Sequence, residues 1–452
     1  MQFLQIALFM FWFAAAIVLL KKLPVFRESG LRTRFLVWLF TLKWIAGTAL
    51  ILIYTYYYPD RHTADIYKYY DDAVVINSAL FNDPSAYLQL ISGINDQSNN
   101  CLPYLKQMSN WAPHSEQWLA YAQTGDYNYF LSNRLITRLH AVLMPLSQGF
   151  IYTHGIFFNL FSMLGLVMFY RLAKAKLNLS FPALLLFCFL PSTLLWCSGL
   201  LKDCLVFSAV CIFFYAVFSE RKLMLLWVRY ATILCTIFLL LYTKFYVVAA
   251  LVLPVIWHLV HTKLFKRRNR YSLLAFSLGG MLFVISPLFN RTVQILSGKR
   301  EEALKAAVFG DARHQSFYHN IEPSFQAIIQ ETPIALYDAF CFPMPWQSGG
   351  SPFILLASLE HFLPILLLFI LFFGIKRDQI SSLEFGLFLY GISLAFIIGF
   401  TTPVTGGLVR YKTAFFPFVL ILIANRSSYL SGLETSKLVL KISNLVFNKN
   451  SN

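Results

Sequence analysis

Apolar residues recur along this chain as unbroken runs rather than as amphipathic stripes, over roughly 3–20, 35–58, 149–170, 181–198, 203–218, 223–242, 245–261, 272–289, 352–374, 382–400 and 409–425. A helix rises about 1.5 Å per residue, so about 20 such residues cross a hydrocarbon layer about 30 Å thick. Several runs are shorter, and the pair around Ser198 to Asp203 is joined by a tight turn. The pattern predicts an all-α polytopic membrane protein, a single membrane domain over 1–452 with about eleven transmembrane helices. Two large extracytoplasmic loops, 59–148 and 290–351, and a cytoplasmic tail over 426–452 complete it.

Composition agrees: 58% of the 452 residues are hydrophobic and only 13% are charged. The formal charge of +16 would suggest nucleic acid in a soluble protein. In a membrane protein it has a topological origin instead, because Lys and Arg accumulate on cytoplasmic loops, and no nucleic-acid partner is expected. Lys21, Lys22, Arg27, Arg32, Arg34, then Arg171, Lys174 and Lys176, then Arg221 and Lys222, fall in alternate connections. So do the basic cluster from Lys263 to Arg270, Lys376 with Arg377, and the tail. The opposite connections carry eight acidic against five basic residues in 59–148 and six against five in 290–351. The N-terminus is therefore expected outside and the C-terminus inside. The run from Phe3 to Leu20 is read as a first spanning helix rather than a signal peptide, since its lysines follow it and none precedes it.

Cys188, Cys197, Cys204, Cys211 and Cys235 lie in apolar runs and read as small buried hydrophobes. Cys101 and Cys341 lie in the two large loops, where a disulfide between them is an open alternative. No Cys/His cluster has zinc spacing.

The alternation gathers the remaining ionisable residues on the outer face. Asp65, Lys68 and Asp72 share one side of a helix, with Asp71 about 100° away. A carboxylate at the mouth of a spanning helix can act as a base, so Asp71 and Asp72 are the catalytic candidates and Asp65 a supporting one. The alternative is a solvated acidic helix stabilised by its dipole. Lys202 and Asp203 follow the tight turn, where an uncompensated charge near hydrocarbon is costly; a structural ion pair pinning a re-entrant turn explains them equally well. Arg410 and Lys412 open the last run from the outside, against the positive-inside trend, and suit an anion such as phosphate. Lys244, between two runs, fits the same role. In the second loop Arg313, His319 and Trp346 are supporting candidates for an acceptor cleft, with an interfacial anchor as the alternative for the aromatic and proline cluster.

The acidic pair Asp71-Asp72 early in the first outer loop, the hydropathy profile, and Arg410-Tyr411-Lys412 with Pro417 together resemble the GT-C superfamily of polytopic glycosyltransferases. The stretches from Pro191 to Asp203 and from Phe342 to Gln347 also resemble segments of bacterial envelope proteins grouped with it. The resemblance implies a bacterial inner-membrane enzyme that takes a sugar from a polyprenyl-phosphate donor to an extracytoplasmic acceptor, with membrane lipids around it. In that scheme Asp71 or Asp72 deprotonates the acceptor, and Arg410, Lys412, Lys244 or Lys202 balances the leaving phosphate. A divalent cation, magnesium or manganese, held by one carboxylate is a variant of the scheme. Two rival functions carry different chemistry: a polysaccharide polymerase or ligase, and a transporter or flippase of lipid-linked sugars without catalysis.

Overall fold

A computed structural model describes residues 2–56, 61, 64–109, 111, 133–220, 223–266, 268–309, 321, 323–347 and 352–447. Among these residues the regular structure is helical, apart from two isolated bridges that join Leu31 to Phe447 and Ile375 to Ser427. The first helices are α1 (Gln2–Lys22) and α2 (Thr33–Tyr56), followed by a helical cap of α3 (Asp65–Asn82), α4 (Pro84–Ser92) and α5 (Arg134–Ser147). The middle of the chain forms α6 (Ile151–Leu177), α7 (Phe181–Phe189), α8 (Pro191–Trp196), α9 (Lys202–Phe218) and α10 (Leu226–Leu259). Then come α11 (Asn269–Ile285), α12 (Pro287–Phe309), α13 (Phe325–Phe340), α14 (Pro352–Glu360), α15 (Phe362–Leu371), α16 (Ser382–Thr401), α17 (Thr405–Tyr411) and α18 (Phe416–Arg426).

Among the described residues six helical segments are long and apolar enough to cross a membrane, α14 and α15 counting together as one, or up to eight if the bent pairs α11 with α12 and α17 with α18 each count as one span. This is a multi-pass membrane architecture. The difference from eleven runs has local causes. Leu190 and Pro191 interrupt 181–198, leaving two short helices, and α9 has only 17 residues.

The run across 223–261 shows how a break shapes the fold. Lys244 has non-helical backbone angles (φ −146°, ψ 83°) inside α10. Arg229 and His258 nevertheless line one cavity, although a straight helix would separate them by about 44 Å. α10 is therefore a hairpin with Lys244 at its tip.

α9 is the centre of the bundle. It is apolar on all sides, and every residue but Val217 is buried, as a helix surrounded by protein requires. Its closest neighbours are α6 and α10, while α16 packs against α10 and α13. The cap has its own small core around Tyr70, Ile76, Leu90, Met108 and Met144, which also buries Cys101. Cys101 and Cys341 are both free thiols, so this structure contains no bridge between them. The described part of the second large connection is mostly helical, with α13 lying along α16.

Hydrogen bonds sort the connections into two ends. At one, Gln5 Nε2 donates to the Gln148 carbonyl (2.7 Å), and the Thr55 and Tyr67 hydroxyls meet at 2.5 Å. At the other, Arg32 Nε donates to the Phe447 carbonyl (2.7 Å), Lys176 pairs with Glu220 (2.8 Å) and Lys376 N donates to the Arg426 carbonyl (2.9 Å). Arg32, Lys176 and Lys376, each from one of the basic connections identified in the sequence, thus lie at this second end.

The α6–α9 contact depends on Gly165, where an added Cβ would lie 2.7 Å from the Ser208 Cα, a backbone atom that cannot swing away. A Cβ at Gly279 on α11 would meet nothing within 4 Å. Gly165→Ala should therefore lower stability by about 1–3 kcal/mol, the usual range for overpacking. Gly279→Ala should not, and thermal melts of both variants in the same detergent check the contrast.

Candidate active site

The site is built at the end of the bundle opposite the basic connections, starting from the turn between α8 and α9. Its carbonyls are buried and need donors that its own backbone does not supply. Lys43, inside α2, donates to the Cys197 carbonyl (3.2 Å) and to Ser198 Oγ (2.8 Å). Ser162 Oγ reaches the same Cys197 carbonyl (2.9 Å), and Asn159 Nδ2 reaches the Ser198 carbonyl (2.9 Å). α2 comes so close that a Cβ at Gly47 would stand 2.2 Å from the Ser198 oxygen. With this turn clamped, α9 begins at a fixed place, and Lys202 and Asp203 occupy its first turn.

Asp203 is then the hub of an ionic cluster assembled from four distant parts of the chain. Its carboxylate accepts from Lys244 Nζ (2.5 Å), delivered by the tip of the α10 hairpin, and from Arg410 Nε on α17. Arg410 also donates through Nη1 to Asp65 (2.5 Å), in the first turn of α3. Lys68, one turn further on, lies 3.7 Å from Asp65. Aromatic rings close the cluster: Lys244 Nζ stands 3.9 Å from the Tyr411 ring centroid, and the Arg410 guanidinium 6.0 Å from that of Trp196. Lys202 Nζ donates to Asn133 Oδ1 (2.7 Å) and stands 5.6 Å from the Tyr69 ring centroid.

Asp203, Lys244 and Arg410 are buried, whereas the Asp65 side chain is 34% exposed. Removing one member of such a buried set strands the others' charges at a cost of about 3–5 kcal/mol. The cluster is thus internally compensated, and Asp65 is its face toward solvent. Burial alone would raise the Asp65 pKa, but the Arg410 charge and hydrogen bond outweigh it and hold the carboxyl below its ordinary value of 3.8.

The other candidates lie elsewhere. Asp71 makes a two-pronged pair with Arg61 (Nη2 to Oδ1 2.6 Å, Nε to Oδ2 2.8 Å). Asp72 is 2% exposed and accepts from the Ser109 backbone N–H (2.9 Å). Lys412 turns away from Arg410, donating to the Phe342 carbonyl and meeting His361 Nε2 at 3.2 Å. Asp338, on α13 near Lys412, is pushed up to about 6 by burial, which the Lys412 charge only partly offsets. Trp346 is 74% exposed in a short turn and, among the described residues, makes no ring contact with the cluster. Arg313 and His319 lie outside the described residues.

Lys43, which holds the turn before Asp203, is the neighbour of the candidate site that the sequence reading passed over. A lone lysine inside an apolar run was the available signal, since intramembrane charges are retained only where they have partners. Asn133 and Tyr69 carried no comparable signal. Among the described residues no group of three or more His, Cys, Asp or Glu side chains converges to hold a metal ion. Asp71 and Asp72 engage separate partners, Arg61 and Ser109.

The lowered Asp65 value fixes a sign for pH dependence. Its pairing stabilises the fold at pH values above the ordinary carboxylate range and is lost as pH falls through the lowered value. The melting-temperature gap between wild type and Asp65→Asn should be widest near neutrality and close on acidification; a gap that widens in acid contradicts this. Set against models of protein families, against curated proteins and against solved structures, the chain finds no match.

Proposed function

We propose that this protein is a GT-C-like membrane glycosyltransferase, working at the end of the bundle that carries the Asp65–Arg410 cluster. The observation that supports the reading best is the convergence of Asp65, Asp203, Lys244 and Arg410 from four separate segments, with the carboxylate of Asp65 facing outward beside a buried guanidinium. We assign the role of base to Asp65 rather than to Asp71 or Asp72, because Asp65 is the solvent-accessible acid beside Arg410, whereas Asp203 is buried and Asp71 pairs with Arg61.

In the proposed reaction the acceptor hydroxyl oxygen forms a bond to the anomeric carbon of the sugar. Asp65 takes the hydroxyl proton, and the bond between that carbon and the phosphate oxygen breaks. Polyprenyl phosphate leaves with the electron pair, and Arg410, Lys202 and Lys244 balance its charge. In the resting state the Arg410 contact makes Asp65 a weak base. A donor phosphate that draws Arg410 toward itself relaxes that contact and strengthens the base only when substrate is bound. Asp203 anchors the guanidinium from behind through Nε, so that its other edge, whose Nη1 holds Asp65 in the resting state, can turn to an oxyanion.

The reading includes eleven spans, with the α10 hairpin supplying two and the short α7–α8 pair and α9 supplying two more. The N-terminus is then outside, and the basic end lies in the cytoplasm of a bacterial inner membrane.

The test is purified protein with a panel of polyprenyl-phosphate sugars and extracytoplasmic acceptors, comparing wild type with Asp65→Asn, Asp71→Asn and Asp72→Asn. Asp65→Asn should lose about 10²–10⁴-fold in transfer rate, the usual contribution of a general base. Asp71→Asn should stay near wild type. Transfer by Asp65→Asn at the wild-type rate removes it from the mechanism. Accumulation of unpolymerised lipid-linked repeat units in a deletion strain favours a polymerase instead.

A further inference from the structure

α9 connects the candidate site to a second feature. About 24 Å along it from Asp203, at the basic end, a cavity of about 910 Å³ opens between the end of α9, both arms of the α10 hairpin and the start of α16. Its volume falls within the range of small-molecule sites.

The walls divide by chemistry. Ile233, Ile237 and Val255 form an apolar side from the two hairpin arms. Among the described residues the polar side carries the cations Lys176, Arg229 and Lys263 and the imidazoles of His258 and His261, against a single acid, Glu220. Glu220 is engaged with Lys176 at 2.8 Å. Arg229 Nη2 donates to the Glu220 carbonyl (2.6 Å) and to Ser219 Oγ (3.3 Å), while its Nε is buried with no hydrogen-bond partner among the described residues. A guanidinium held by one edge in a cation-rich cavity is suited to a phosphate oxygen.

The outside of the same hairpin arm locates the cavity relative to a bilayer. Trp227 and Leu234 are exposed there, and Tyr230 is exposed at the rim of the cavity, which it also lines; the aromatic pair stands level with Arg229 and the leucine one turn deeper. Tryptophan and tyrosine favour the headgroup boundary of a membrane. The cation-rich side of the cavity thus lies at headgroup level, and its apolar side extends toward the hydrocarbon.

We propose that this cavity binds an anionic membrane phospholipid, with the phosphate at Arg229 and Lys263 and an acyl chain along Ile233, Ile237 and Val255. A free phosphate would use only the polar side, and a zwitterionic lipid would bring a cation into an already positive site. Basic pockets between spanning helices recognise anionic headgroups by this combination. The inference does not depend on glycosyl transfer, since it concerns the opposite end of the molecule.

The test is native mass spectrometry of the full chain in non-ionic detergent, with added phosphatidylglycerol, phosphatidylcholine or inorganic phosphate. Wild type should retain phosphatidylglycerol at least about tenfold better than phosphatidylcholine, a difference of about 1.4 kcal/mol. The double variant Arg229→Gln/Lys263→Gln should lose that preference. Ile237→Trp, which keeps every charge and fills the apolar side, should lose the lipid too. Circular dichroism and elution volume report whether each variant is folded, and Ile237→Trp decides the matter if the double variant is not. Equal retention of the two lipids overturns the proposal, as does wild-type retention of phosphatidylglycerol by a folded variant. Displacement of the lipid by millimolar inorganic phosphate, with Ile237→Trp unaffected, overturns it in favour of a free-anion site.

Discussion

The constraint on which the structure depends is the charge of Asp203. A carboxylate at the start of a helix that is otherwise buried and apolar is tolerable only if cations reach it, and two do: Lys244 and Arg410. Each is brought by a distortion. α10 breaks at Lys244 to turn back on itself, and the bent pair α17–α18 starts with the short helix that carries Arg410. Arg410 then passes the constraint to Asp65, and so ties the helical cap to the membrane bundle. Lys43 has the complementary task of holding the turn before Asp203 by its carbonyls.

The membrane class and the long helices were legible in the hydropathy, because a spanning helix must be apolar over its whole length. The two ends were legible in the alternation of Lys and Arg, since each connection reverses the chain. Grouping Lys202, Asp203, Lys244 and Arg410 followed from the same alternation and required no distances. Helical phase at single residues was not legible. Lys412 lies two positions past Arg410, about 200° around a helix, and so faces the Phe342 carbonyl and His361 instead of the cluster. The adjacent aspartates were conspicuous in sequence, but Arg61 engages one and Ser109 the other. The less conspicuous Asp65 starts the helix and therefore sits nearest the bundle.

The two ends of the molecule have different chemistry. Carboxylates and cations are closely paired around Asp65 and Arg410, whereas cations outnumber acids around Arg229. A compensated cluster with one half-buried carboxylate at its face fits the proposed proton transfer beside a developing anion. A cation-rich cavity with an apolar side suits holding an anion that does not react. α9 separates them, and its packing against α6 and α10 keeps both in register.

The central claim is that Asp65 and Arg410 form a working pair across the junction of cap and bundle. A double-mutant cycle tests it directly, with Asp65→Asn, Arg410→Gln and the combination measured for stability in one detergent. A coupling energy of about 0.5–3 kcal/mol is predicted, as for residues in one ionic network. Additive effects within about 0.3–0.5 kcal/mol, the behaviour of independent sites, would contradict it.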